Sequence, residues 1–204
     1  MRLPPTETTT LDGIPVATPA RTWFDLAQLI SVDALVAAGD HVVNRNNRMF
    51  AEKREALASV EELSQMLTTH CRSRGVCTAR KALPLVREGC DSAPETMLRL
   101  ALVRAGLPEP VLGWVITDEA GGHVVWPDLA YPNYKVAIQY DGAHHFERGR
   151  QELDIARNEA TVRAGWTQVI ITARFMDAFG SAAAVVKVRD ALMRNGWDGR
   201  RPVG

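Results

Sequence analysis

The chain has 204 residues, of which 46% are hydrophobic and 24% are charged, and its 24 basic side chains are balanced by 24 acidic ones. This composition is typical of a globular protein with its own core, and zero net charge excludes a basic field over the whole molecule. Binding of nucleic acid would therefore require a local basic patch.

The sequence also limits where the protein is expected to work. It has no run of about 18 apolar residues, so a membrane span is not expected, and the start "MRLPPTETTT" lacks the apolar core of a secretory signal. Cys71, Cys77 and Cys90 are odd in number and show no Cys-x-x-Cys spacing. They favour reduced thiols over a disulfide framework or a zinc site. We expect a cytoplasmic protein with no membrane partner.

Residues 1–90 are predicted to form a small helical region after an extended segment with a turn at Asp12-Gly13. Thr18-Pro19 is typical of a helix start, since threonine can cap a helix and proline suits its first position. Ser31 can cap the next helix, and Pro84 is expected to break or bend the fourth. The four helical patterns are "ARTWFDLAQLI", "VDALVAAGDHVV", "AEKREALASVEELSQMLTTHC" and "GVCTARKALPLV".

Residues 91–204 are predicted to form a mixed α/β domain. Asp91 or Ser92 can cap a helix that continues through Pro94-Glu95 and ends at Gly106. Three strand candidates follow in "VLGWVIT", "HVVWPDLAYP" and "YKVAIQYDG". Next come a polar helix, "RQELDIARNEATVRAG", a strand, "WTQVIIT", and a last helix, "SAAAVVKVRDALMRNG". Because a helix connects the last two strands, we expect them to pair in parallel.

Polar side chains collect where the predicted strands end. Gln139 and Asp141 share one face of a strand because side chains alternate along it. Asp128, on the preceding strand, approaches them if the hairpin register permits, and Glu95 lies in the first turn of the helix before the sheet. Oxygen ligands of this kind suit Mg²⁺ or Mn²⁺, which activate water and neutralise charge on a phosphodiester.

About residues 91–195 resemble the PD-(D/E)XK nuclease superfamily, and more closely its branch similar to very-short-patch-repair endonucleases, known as domain of unknown function 559. The matching segments are "PE" at the helix start, "PDLAYPNYKVAIQYDGAHH", the polar helix, and "AGWTQVIIT". The resemblance implies a restriction-endonuclease-like α/β core of helix, β-meander, helix, strand and helix. It also implies four side-chain roles. Asp128 would be the metal aspartate, Asp141 a second acid, Glu95 an accessory acid, and His144 or His145 the trailing histidine.

Two departures from the family pattern concern the metal site. The expected glutamate is Gln139 here, and a neutral amide offers a metal only its carbonyl oxygen. The superfamily's usual lysine is absent, and Asp141 stands in its place. Some members of the superfamily tolerate glutamine at this position, so the resemblance still implies a metal site.

The first half has a resemblance of its own. "DGIPVATPARTWFDLAQLISVDALVAAGDHVV" is similar to the middle region of actinobacterial proteins related to abortive-infection type IV antitoxins, which are often fused to this nuclease-like domain. Those proteins commonly carry a winged-helix segment upstream, so we expect this chain to be a truncated or shortened member. The alternative for "TPART" is a well-capped helix start with a solvated Arg21.

Each candidate site residue has an ordinary structural alternative. Glu95 could be a helix N-terminal acid favoured by the helix dipole. Asp128 could be a turn acid, and Asp141 could begin a strand-ending turn. His144 and His145 could be solvated loop residues, although imidazole also suits proton transfer near neutral pH. The order and spacing of these residues, rather than any one of them, carry the prediction.

We expect a metal-dependent DNA endonuclease that acts in DNA repair or in defence against phage and mobile elements. The alternative is a non-catalytic DNA-binding or antitoxin-like regulator on a degenerate nuclease fold, and a third option is a structural or partner-binding domain. DNA is the expected partner, and a homodimer or a toxin–antitoxin complex is a further expectation. The basic patch would consist of Arg148, Arg150, Arg157 and Arg163; its alternative is a solvated helix face, because acids are interleaved.

Overall fold

The computed structural model describes residues 3–45, 55–117, 123–142 and 148–200, with the backbone alone for residues 123–124 and 148–154. The chain divides into two compact units, Met1–Thr96 and Met97–Gly204. This division lies inside the helix Ala93–Arg104. The sequence predicted the boundary near residue 90, just before that helix.

The first unit begins with an antiparallel hairpin of β1 (Thr8–Leu11) and β2 (Ile14–Ala17). Asp12 and Gly13 connect the two strands, and both have a positive φ, of 49° and 79°. Two consecutive positive φ angles are typical of the tight turns that match the twist of a hairpin. The predicted turn is confirmed.

In the described part of the first unit, four α-helices lie between the hairpin and residue 90, as the sequence predicted. Thr18 Oγ1 accepts a hydrogen bond from the Arg21 amide, and Ser31 Oγ accepts one from the Ala34 amide, so both predicted caps are present. The helices are α1 (Pro19–Leu26), α2 (Val32–Val43), α3 (Val60–Thr69) and α4 (Val76–Ala82).

The prediction of α3 was wrong at its beginning, since the helical pattern started at residue 51 and residues 55–59 are not helical. Residues 51–54 of that pattern lie outside the described residues. Ser59 and Glu62 form a reciprocal capping box that fixes the helix start. Pro84 acts as predicted, because α4 ends at Ala82 and one 3-10 turn, Leu83–Leu85, follows.

The second unit is a mixed α/β structure, which confirms the predicted class. In the part of the chain that is described, its main sheet has the strand order β5-β6-β7, with β5 and β6 antiparallel and β6 and β7 parallel. The predicted parallel pair is therefore confirmed. The elements are α5 (Ala93–Arg104), β3 (Ile116–Thr117), β4 (His123–Val125), β5 (Leu129–Tyr131), β6 (Val136–Asp141), α6 (Arg148–Arg163), β7 (Thr167–Thr172) and α7 (Ala173–Arg194).

Two predicted elements of this unit differ from the structure. The strand predicted in "HVVWPDLAYP" is two strands, because β4 pairs with β3 and β5 pairs with β6. Pro127 lies between them and has no N–H for a continuous ladder. The last helix begins at Ala173 rather than near Ser181, and Gly180 (φ 73°, ψ 176°) interrupts it.

Helices cover both faces of the main sheet. On one face, Leu129 and Ile138 join a buried apolar cluster with Leu98 of α5 and Leu192 of α7. On the other face, Ala137 packs in a smaller cluster with side chains of β3, β4 and α6. Among the helices that are described, none is long and apolar enough to cross a membrane.

Candidate metal and nucleic-acid site

The β5–β6 hairpin brings Asp128 opposite Gln139. Leu129 pairs with Ile138 in the antiparallel register, and the Asp128 amide donates to the Ile138 carbonyl at 3.0 Å. Asp128 immediately precedes β5, so this pairing brings its side chain within reach of Gln139. The register on which the predicted approach of these side chains depended is therefore present.

Asp128 is a buried acid, 7% exposed, and two donors converge on one of its oxygens. Gln139 Nε2 donates to Asp128 Oδ2 at 2.9 Å, and the Tyr140 amide donates to the same oxygen at 2.6 Å. Hydrogen bonds of this kind offset the cost of removing a carboxylate from water. The contacts fix the carboxylate at the end of the hairpin.

The oxygen atom of the Gln139 side-chain amide has no such hydrogen bond in the described structure. This atom, Oε1, is buried and has no hydrogen-bond partner among the described residues. A buried carbonyl oxygen without a donor costs about 1–3 kcal/mol. A cation or a donor that reached this oxygen would remove that cost.

Asp141 lies two residues beyond Gln139, at the exposed end of β6 and opposite Thr172 in the parallel register. Alternation along the strand places the two side chains on the same side, whereas Tyr140 packs on the other side with Phe175 and Met176. Burial raises the pKa of Tyr140, and the charges of Asp177 and Asp141 raise it further.

Glu95 makes contacts at the beginning of a helix, in agreement with the alternative that it is a helix N-terminal acid. Its carboxylate accepts hydrogen bonds from the Asp91 amide at 3.0 Å and from the Ser92 hydroxyl at 2.8 Å. Both partners lie at the start of α5, and Glu95 belongs to the Met1–Thr96 unit. An accessory role at a metal stays a prediction.

The remaining predicted residues lie on or before α6. His144 and His145 fall outside the described residues, so their roles stay predictions. Arg148 begins α6, with Arg150 in its first turn. Arg157 and Arg163 are exposed, and Arg163 Nε donates to the Glu159 carbonyl at 3.4 Å.

The set around Asp128 fits a hard divalent cation in the kind of atoms it offers. No group of three or more His, Cys, Asp or Glu side chains within the described ranges could hold a metal by itself. Asp128 and Asp141 supply carboxylate oxygens, and Gln139 adds the buried amide oxygen that has no partner in the described structure. Mg²⁺ commonly takes one or two protein carboxylates and keeps several waters.

One contributor to this site, and one charged neighbour of Tyr140 on the other side of the sheet, were not predicted from the sequence. The Tyr140 amide is a backbone group, and its contact with Asp128 has no signature in residue type. Asp177 lies in the first segment of α7, before Gly180, where the sequence predicted no helix. Thr172 caps this helix, since its Oγ1 accepts a hydrogen bond from the Phe175 amide. A threonine directly before a helical segment is a capping signal from which this helix start could have been predicted.

The first unit contains a separate buried charge cluster. Glu7, 1% exposed, forms an ion pair with Arg21, and its other oxygen is 2.7 Å from His70 Nε2. Arg21 also bonds Asp25 at 3.0 Å and is itself buried, so the alternative of a solvated Arg21 is wrong. Burial would raise the pKa of Glu7, but the hydrogen bonds from Arg21 and His70 outweigh it and lower the pKa.

No family model and no solved structure matches the chain. Two proteins from two strains of Mycobacterium tuberculosis, both named as uncharacterized, are similar to it. Each is 30% identical over 133 residues, which cover 62% of this chain and 48% of the relative. The chain spans about half the length of the curated relatives it matches.

Proposed function

We propose that the second unit is a restriction-endonuclease-like domain of the PD-(D/E)XK kind, which hydrolyses DNA phosphodiester bonds with Mg²⁺ or Mn²⁺. The observation that carries the proposal is the buried Asp128 carboxylate facing Gln139, with Asp141 following on the same strand face. The order of helix, strands, helix, parallel strand and helix supports the same assignment.

The ligand atoms have distinct parts in this proposal. When bound, a divalent cation would neutralise phosphodiester charge and lower the pKa of a water. Asp128 Oδ2 is held in place by the Tyr140 amide, and the Gln139 side-chain amide is the adjustable contact of the same oxygen. Rotation of that amide by half a turn would bring its oxygen toward Asp128, which is favourable only with a cation between them.

The absence of a charge at position 139 favours weak metal binding. A glutamate there would add one negative charge to the ligand set, whereas the amide adds only a dipole. Weak sites with oxygen ligands have dissociation constants on the order of a millimolar. In this proposal, activity therefore requires a millimolar rather than a micromolar concentration of metal.

A specific contact also favours the non-catalytic regulator. Gln139 Nε2 already donates to Asp128 Oδ2 at 2.9 Å, so the amide partly satisfies the acid without any cation. A glutamate could not do so in its charged form, because two carboxylates at that distance repel each other. DNA binding without cleavage would identify this second function.

Cleavage assays on the full chain distinguish the two functions. Labelled DNA in single-stranded, duplex and mismatched forms is incubated with Mn²⁺, using wild type, Asp128→Asn, and Asp190→Asn as an exposed-acid control on α7. We expect cleavage by wild type and the control but not by Asp128→Asn. Cleavage that survives in Asp128→Asn contradicts the nuclease proposal, and binding of DNA without cleavage by any of the three supports the regulator.

A further inference from the structure

Two tryptophans stand exposed beside the candidate site. Trp126 is 43% exposed and Trp114 is 39% exposed, whereas Trp23 and Trp197 are 1% and 6% exposed. Indole is a large apolar ring, so an exposed pair of indoles is more typical of a binding surface than of a core. We call Trp114 and Trp126 the tryptophan pair.

The Trp126 side chain has a hydrogen bond that holds it in place without a ligand. Trp126 Nε1 donates to the Gly113 carbonyl at 3.1 Å, which fixes its ring beside the residue that precedes Trp114. Gly113 has a φ of 65°, a backbone conformation that L side chains rarely adopt. A fixed aromatic side chain loses little conformational entropy on binding, which favours affinity.

A short, stiff connection joins this pair to the candidate metal ligands. Only Pro127 separates Trp126 from Asp128. Proline fixes its own φ and restricts the residue before it to extended conformations. The indole of Trp126 is therefore attached two residues before the candidate metal ligand Asp128, through a connection with little backbone freedom.

We propose that the tryptophan pair stacks on an unpaired base, so that the substrate is single-stranded or locally unpaired DNA; this inference rests on the proposed nuclease function. Indole stacks on the π-face of any base. In an intact duplex, neighbouring base pairs cover these faces. The chain has no net charge, so stacking supplies affinity that a basic field would supply elsewhere.

Binding by the full chain without metal tests this inference separately from cleavage. Fluorescence anisotropy of labelled oligothymidine and of a matched duplex is measured in chelator with wild type, Trp126→Ala, Trp126→Phe and Met193→Ala. Met193 is an exposed apolar side chain on α7, 54% exposed, and serves as the control. Circular dichroism melts of each variant establish that it is folded.

We expect Trp126→Ala to weaken oligothymidine binding by about 5- to 100-fold, the range of one lost base-stacking contact. Trp126→Phe should recover most of the affinity, and Met193→Ala should leave it unchanged. Duplex binding should change much less. Trp126→Ala should also abolish most of the quenching of tryptophan fluorescence by oligothymidine.

Several results would overturn the inference. They are an unchanged affinity in folded Trp126→Ala, an equal loss on duplex DNA, or a preference for the matching RNA. If Trp126→Ala is unfolded, an unchanged affinity in folded Trp114→Ala together with unquenched wild-type fluorescence overturns it equally. A protein that never cleaves DNA but needs Trp126 for single strands contradicts the nuclease proposal and leaves the stacking intact.

Discussion

Gln139 donates its amide hydrogen to the carboxylate of Asp128 across 2.9 Å, so a neutral side chain faces a buried acid where the nuclease pattern has a second acid. The same amide keeps its oxygen buried and without a partner in the described structure. The hydrogen bond between the two side chains favours the non-catalytic regulator, and the buried amide oxygen without a described partner favours a metal site.

The variant Gln139→Glu should have a lower stability without metal and a higher affinity for metal than wild type. Without metal, it replaces a hydrogen bond to a charged group by a like-charge contact, and we expect a loss of about 1–3 kcal/mol in the free energy of unfolding. Mn²⁺ should restore more of this loss than it adds to wild type. Thermal melts with and without Mn²⁺ measure both effects.

Gln168→Glu is the matched control for that experiment. Gln168 lies on the neighbouring strand β7, and its Oε1 is likewise buried without a partner in the described ranges. It is not next to Asp128 in the register, so its variant should lose stability without rescue by Mn²⁺. Equal rescue of the two variants would show that Mn²⁺ acts elsewhere.

The variant Glu7→Gln should remove an acid-dependent part of the stability. The pKa of Glu7 is lowered from its ordinary 4.5, so its contribution is complete above pH 4.5 and is lost as the pH falls through the lower folded-state pKa. At neutral pH, breaking this buried ion pair should cost about 3–5 kcal/mol. Urea unfolding of both proteins should converge in acid.

Glu88→Gln provides the comparison for Glu7→Gln. Glu88 pairs with Arg45 at 3.9 Å, but its side chain is 46% exposed. An exposed pair contributes about 0–1 kcal/mol, so its variant should follow the wild-type pH curve. A Glu7→Gln protein that keeps the wild-type acid dependence would contradict the assigned role of Glu7.

The variant Gly75→Ala should be more costly than Gly13→Ala. Both glycines have a positive φ, of 85° and 79°, so each alanine costs about 1–2 kcal/mol of backbone strain. At Gly75 the new Cβ would also lie 2.8 Å from the backbone nitrogen of Gln28. Around Gly13, no described atom lies within 4 Å of the new Cβ. We expect an additional loss of about 1–3 kcal/mol at Gly75. Chemical denaturation that gives equal losses would contradict this packing.

DNA binding should depend on the start of α6. The double variant Arg148→Ala and Arg150→Ala should weaken binding and reduce the slope of log affinity against log salt by about 1–2. The pair Arg80→Ala and Lys81→Ala on α4 is the control, since it removes the same charge from the first unit. An unchanged slope in the α6 variant would exclude this segment from the DNA surface.

Local chemistry explains which parts of the fold were predictable. Thr18, Ser31 and Asp12-Gly13 act through neighbours in sequence, so their caps and turn were predicted. The start of α3 was missed although the Ser59–Glu62 capping box lies in the sequence. The spacing of apolar residues before residue 59 also fits a helix, so the sequence predicts a start that is too early.

The contacts that define the site depend on pairing between strands. The sequence placed Gln139 and Asp141 on one strand, but the hydrogen bond from Gln139 to Asp128 depends on the pairing of β5 with β6. Its direction, with nitrogen rather than oxygen toward the acid, follows from the charge of Asp128. The split at Pro127, which turns one predicted strand into two, was visible only as the proline itself.

Metal binding by the full chain tests the central claim most directly. Isothermal titration with Mn²⁺ is compared for wild type, Asp128→Asn and the exposed control Asp190→Asn. We predict one weak site in wild type and the control, and its loss in Asp128→Asn, because that variant removes a buried carboxylate ligand. Equal Mn²⁺ binding by all three proteins, or no binding by wild type at millimolar metal, would contradict a metal site at Asp128 and Gln139.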